Sequence, residues 1–89
     1  MREKEIEKKL KEAVKKAGGW CVKWVSPGNS GVPDRICLFP GGRIVFVELK
    51  APGKKPRVLQ EKQIKKIRKL GFRVEVIDSE EGIQGLFEG

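Results

Sequence analysis

Three ionisable residues sit where an apolar strand would not ordinarily carry them. In GVPDRICLFPGGRIVFVELKAPGK, residues 31–54, Asp34 opens one apolar run, and Glu48 and Lys50 close the next. Burying a charge without a partner is expensive, so a small protein needs a reason to put three beside its core. Residues two apart on a strand share a face, so Glu48 and Lys50 project the same way as Ile44 and Phe46. The PGG turn at 40–42 makes the two runs antiparallel neighbours and brings Asp34 close to Glu48 and Lys50. Two converging carboxylates repel unless a cation lies between them, and Mg²⁺ is typically held by one or two carboxylates with waters completing its shell. A cation so placed can polarise a phosphodiester and acidify a water. The neighbouring ammonium can orient or deprotonate that water, or neutralise charge developing on phosphorus. The same three groups can equally form a partly buried salt bridge. An E-x-K triplet alone carries no weight, since Glu7-Lys8-Lys9 is another; the hairpin spacing sets Glu48-Leu49-Lys50 apart.

The flanking elements must hold this hairpin. Residues 3–17 have Ile6, Leu10, Val14 and Ala17 on one helical stripe, and Gly18 and Gly19 end it. Residues 20–25 alternate Trp20, Val22 and Trp24 against Cys21, Lys23 and Val25, a strand with one buried face. A loop rich in Pro, Gly, Asn and Ser covers 26–33, and strands follow at 34–39 and 43–50. The basic loop 51–57 leads to a helix over 58–70 with Leu59, Ile64, Ile67 and Leu70 inward. Gly71 stops it, 72–77 is a last strand, and Ser79 is the N-cap of a short terminal helix. The order is α-β-β-β-α-β, an α/β fold with one mixed sheet flanked by helices, and the 89 residues read as one domain, 1–89.

Composition limits the function. No apolar run reaches transmembrane length and the charged N-terminus is no signal peptide, so a cytoplasmic protein without membrane contact is expected. Cys21 and Cys37 form no CxxC and there is no histidine, which argues against structural zinc; both cysteines read as small reduced core residues. The net charge is +8, and residues 50–73 hold ten basic residues against one acid, Glu61. Such a block is the footprint of a polyanion site, although a solvated helix face gives the same pattern.

GVPDR, a strand and turn, FVELKAPG, and then LQ opening a helix together resemble the PD-(D/E)XK nuclease superfamily. More narrowly they resemble its VRR-NUC (virus-type replication–repair nuclease) family, in the stand-alone form common in phages and prophages. The resemblance runs from IEKKL to VEVIDSEEG. It implies a restriction-endonuclease-like core and divalent-metal-dependent hydrolysis of DNA, with Mg²⁺ or Mn²⁺ as the only cofactor. It makes Asp34 and Glu48 metal ligands, adds the Leu49 backbone carbonyl, and makes Lys50 the catalytic lysine. Gln60 matches the motif glutamine; without the resemblance it reads as a helix-surface amide. The superfamily also draws a glutamate from its first helix. Glu7 and Glu3 share the stripe of Leu10 and Val14, and Glu7, about three turns before the glycine pair, ranks first. Both acids also suit a solvated first turn.

Lys54, Lys55, Arg57, Lys62, Lys65 and Lys66 are suited to phosphates, and Arg35 to a phosphate near the cut. No segment resembles a base-reading element, so cleavage is expected to follow DNA structure, with branched or Holliday junction DNA as substrate. Cutting two strands of a junction calls for two sites, which a homodimer supplies. Residues 20–25 with Ile83, Leu86 and Phe87 are candidates for its surface, with Trp20 more simply completing the core. The competing readings are a catalytically silent DNA-binding module and a subunit that cuts only with a larger partner.

Overall fold

The alternating apolar runs form a four-stranded sheet. A computed structural model describes residues 1–88. The elements are α1 (Glu3–Lys16), β1 (Trp20–Lys23), β2 (Arg35–Phe39), β3 (Arg43–Leu49), α2 (Val58–Lys69), β4 (Arg73–Ile77) and α3 (Glu80–Gly85). The strands lie in the order β1-β2-β3-β4. β1, β2 and β3 are antiparallel, with Ile36 opposite Phe46 and Arg35 opposite Val47, whereas β4 runs parallel to β3 after the α2 crossover. This is the mixed α/β sheet that the sequence predicts.

Helix α1 forms because its apolar residues recur at helical spacing and its charges suit its ends. Ile6, Leu10 and Val14 are completely buried, Glu3 and Glu5 lie in the first turn, and Lys15 and Lys16 lie in the last. They pack with Ile83 and Leu86 from the C-terminal helical turns onto Cys21, Cys37, Phe39, Val45, Val47 and Leu49. The two free cysteines are thus core residues, facing each other across β1 and β2. In α3, Ser79 Oγ accepts the Gly82 N–H at 3.1 Å, the cap its sequence predicts.

The opposite face is covered unevenly. Ile64 of α2 is buried, with Val74 of β4 beneath the same helix face, but Val22, Ile36, Leu38 and Phe46 remain only half-buried. Several sequence expectations fail here for that reason. Leu59 and Leu70 do not face inward, Leu70 being 71 % exposed. Trp20 completes no core and is 68 % exposed, since β1 is the edge strand and no helix reaches it on this side. Conversely, Ile83 and Leu86 are buried in the α1 core and present no dimer surface. Trp24, Phe46 and Phe72 form a chain of ring contacts at 5.2 and 5.6 Å.

Loop 26–33 is docked on α2. Gln63 Nε2 donates to the Ser30 carbonyl at 2.9 Å. Gly31 has φ +84°, and a Cβ there would sit 3.0 Å from Leu59 Cγ and 3.2 Å from the Leu59 backbone carbonyl. Gly41, at φ +86°, has nothing within 4 Å. Both positions carry the backbone cost of a left-handed side chain, about 1–2 kcal/mol, but only Gly31 adds a clash with a helix backbone. Gly31→Ala is therefore expected to lower unfolding free energy by roughly 2–3 kcal/mol and Gly41→Ala by roughly 1 kcal/mol, as read by urea denaturation.

Candidate functional site

At the end of β3, Glu48 is 1 % exposed although it is ionisable. Strand alternation forces it there. Val47 and Leu49 point into the α1 core, so Glu48 must point to the other face, under the start of α2. Its two oxygens are treated differently. Oε2 accepts from Gln60 Nε2 at 2.9 Å and lies 3.2 Å from Lys50 Nζ. Oε1 is buried and has no hydrogen-bond partner among the described residues. Burial pushes the Glu48 carboxyl above the usual glutamate range, the Asp34 charge pushes it further, and Lys50 opposes both.

Asp34 is fixed from two sides. Its Oδ2 accepts the Leu49 N–H at 2.9 Å, and its own carbonyl accepts the Trp24 N–H at 2.9 Å. It therefore joins the ends of β1 and β3 across β2. Gln60 occupies the third position of α2, where its Oε1 accepts the Arg57 N–H at 2.9 Å. One amide thus caps the helix with its oxygen and holds Glu48 with its nitrogen; a glutamate could do only the first.

Asp34 comes to the end of β3 beside Glu48 and Lys50, as the hairpin spacing predicts, and Gln60, which spacing alone leaves as a helix-surface amide, reaches Glu48 from α2. The two helix-1 acids make different contacts. Glu3 is exposed, and its charge adds the smallest of the upward pushes on Glu48. Glu7 instead accepts from Arg35, at 3.1 Å from Nη2 and 3.3 Å from Nε. Arg35 follows from the same alternation: it lies on the α1 face of β2, largely buried and away from the lysines of α2. The partly buried salt bridge between Glu48 and Lys50 exists, but it satisfies only one Glu48 oxygen. Among the described residues no group of three acidic, cysteine or histidine side chains is close enough to form a metal cluster. A cation here would rest on two carboxylates and on oxygens that are not side-chain acids.

That donor set fits a hard divalent ion. Two carboxylates and oxygen donors suit Mg²⁺ or Mn²⁺ and not a soft metal, and the orphaned Oε1 is a buried acceptor that such an ion would satisfy. Lys54, Lys55, Arg57, Lys62, Lys65 and Lys66 are all exposed, on α2 and the loop before it. That loop is held by the Gly53 N–H donating to Asp78 Oδ2 at 3.1 Å. Among the described residues, no helix is long and apolar enough to cross a membrane.

Comparison with known proteins agrees with the fold. The model of the VRR-NUC domain family matches residues 1–81. A protein described as a candidate nuclease, p44, of Acyrthosiphon pisum secondary endosymbiont phage 1 is 48% identical over 81 residues, covering 91% of this chain and 87% of that protein. A solved VRR-NUC domain structure superposes with a TM-score of 0.90 at 34% identity, covering 97% of this chain and 94% of the other.

Burial of Glu48 makes a testable demand on stability. A carboxyl whose pKa rises on folding binds its proton more tightly in the folded protein. Its contribution is complete at low pH and is lost as pH climbs through the folded pKa. With chelator present, Glu48→Gln should be more stable than wild type at neutral pH, and the difference should shrink as pH falls into the carboxyl range. One proton limits the slope to about 1.4 kcal/mol per pH unit. Chemical denaturation of both proteins between about pH 4 and about pH 8 checks this. A pH-independent difference would show that Glu48 carries no burial penalty.

Proposed function

The chain belongs to the VRR-NUC family of nucleases, and from that premise we propose that it is a divalent-metal-dependent endonuclease that cuts branched DNA, Holliday junctions included, as a homodimer. The observation that carries the proposal is the unpartnered, buried Glu48 Oε1 beside a second carboxylate. Asp34, Glu48 and the Leu49 carbonyl would hold Mg²⁺ or Mn²⁺, which would polarise the scissile phosphodiester and acidify a water. On this reading Glu3, not Glu7, is the helix-1 acid of the site, and Glu7 with Arg35 positions α1 against β2.

The protein's own groups supply the rest. Gln60 orients Glu48 so that Oε2 faces the amide and Oε1 stays available. Lys50 sits with its ammonium 3.2 Å from Glu48 Oε2 and 13 % exposed, dry enough for its charge to be felt strongly. It orients the attacking water and stabilises negative charge developing on the phosphoryl oxygens. The exposed cations of α2 and loop 51–57 hold the phosphate backbone without reading bases. The bacterial cytoplasm, reached with a phage or prophage, is the proposed setting.

For the dimer, the half-buried sheet face of Val22, Trp24, Ile36, Leu38 and Phe46, rimmed by Phe72 at 43 % exposed, is the surface that supports pairing. A core of this size gains from such burial. It replaces Ile83 and Leu86 as the apolar surface offered to a second copy.

Two measurements test this reading. Labelled four-way junction, flap and linear duplex are incubated with Mg²⁺, Mn²⁺ or chelator. Metal-dependent cutting of the branched DNA is expected, with Glu48→Gln and Lys50→Ala slowed about 10²- to 10⁴-fold while DNA affinity stays within a few-fold. In the same assay Glu3→Gln should raise the metal concentration needed and Glu7→Gln should not. Binding without cutting under either metal would favour a silent module or a partner-dependent subunit. Separately, sedimentation should give a dimer for wild type and a folded monomer for Leu38→Lys; a monomeric wild type would remove the two-site arrangement.

A further inference from the structure

Helix α1 carries a second cationic surface on the other side of the sheet from α2. Lys4, Lys8, Lys11 and Lys15 succeed one another at steps of four, three and four residues, so they form one stripe along the helix. All four are exposed, and none forms an ion pair among the described residues. By contrast, Lys9 on a neighbouring stripe is paired with Glu80. The four lysines line an open groove of about 640 Å³ between α1 and the outer edge of β1 at Trp20 and Cys21. Two acids share the groove, Glu7 and Glu12, and the charge of Glu7 is already taken by Arg35 at 3.1 Å. The unbalanced charge is therefore positive. From Lys4 to Lys15 the stripe spans about 17 Å, close to five steps of a DNA strand at roughly 3.4 Å each.

The stripe starts in the first turns of α1, where Glu7 is bonded at 3.1 Å by Arg35, the residue next to Asp34. The site thus lies at a sheet end between two cationic faces, α2 with loop 51–57 on one and α1 on the other. A straight duplex laid across this end follows one face. Following both would require it to fold back over the sheet within a few base pairs, far below its persistence length. A branched DNA has a separate arm for each face.

We propose that the Lys4–Lys8–Lys11–Lys15 groove holds the phosphate backbone of a second arm of a branched DNA, the first arm lying along α2. This rests on the nuclease reading above and extends it by assigning the preference for branching to α1. Two like-charged faces that no single rod can reach together discriminate between DNA shapes without contacting a base.

The test is fluorescence anisotropy in chelator, so that nothing is cut, with a labelled four-way junction and a linear duplex of matching arm sequence. Wild type is compared with Lys8→Ala/Lys11→Ala/Lys15→Ala, whose changes are all at exposed positions, and thermal unfolding verifies the fold. The variant should lose at least tenfold in junction affinity at about 0.1 M salt. Its slope of log affinity against log salt should become shallower by about 2–3, with duplex affinity changed less than about twofold. Unchanged junction binding, or an equal loss on both probes, overturns the assignment of a second arm to α1. A wild type that binds both probes equally well overturns the branched-DNA reading itself, and the role of α1 with it.

Discussion

One carboxylate sets the terms for the rest of this molecule. Glu48 is almost wholly removed from water, and only one of its oxygens has protein partners. An arrangement optimised for stability alone would give the second oxygen a donor, or replace the residue by an apolar one of similar volume. Leaving it bare means that the fold itself supplies no partner for that oxygen. Lys50 and Gln60 both meet Oε2 and Asp34 adds a negative charge nearby, so the carboxylate is oriented without being fully neutralised.

Holding one oxygen and sparing the other requires neighbours with two functions each. Gln60 caps α2 while donating to Glu48. Asp34 accepts from the β3 backbone through its side chain and from the β1 side through its carbonyl. Gly31 lets the preceding loop approach the first turn of α2, where any Cβ would collide with Leu59. The spacing from Gly31 through Pro33 and Asp34 to Gln60 is thus a packing requirement as well as a chemical one.

What could be read in advance divides along physical lines. The hairpin and its acids were legible because strand period and turn chemistry are local, and they alone bring Asp34 to Glu48. The α1 core stripe was legible for the same reason. Leu59, Leu70 and Trp20 were misplaced because periodicity assigns a residue to a face but not a cover to that face. Here α2 covers the β4 end and leaves the β1 end bare. Spacing ranks Glu7 ahead of Glu3 on the stripe they share. The tertiary contact of Arg35 with Glu7 across 28 residues of sequence carries no local signal.

Gln60 also gives the site a thermal weak point. Among the described residues of α2, only Ile64 is fully buried, so the helix is held to the sheet by little apolar contact. Its opening as a local unit costs less free energy than unfolding the α1-packed core. Because the same amide serves helix and carboxylate, the first turn of α2 cannot fray without losing the Gln60 bond to Glu48. Warming should thus break the Gln60–Glu48 contact ahead of the fold, leaving a temperature interval in which a largely native sheet carries its buried carboxylate without the amide.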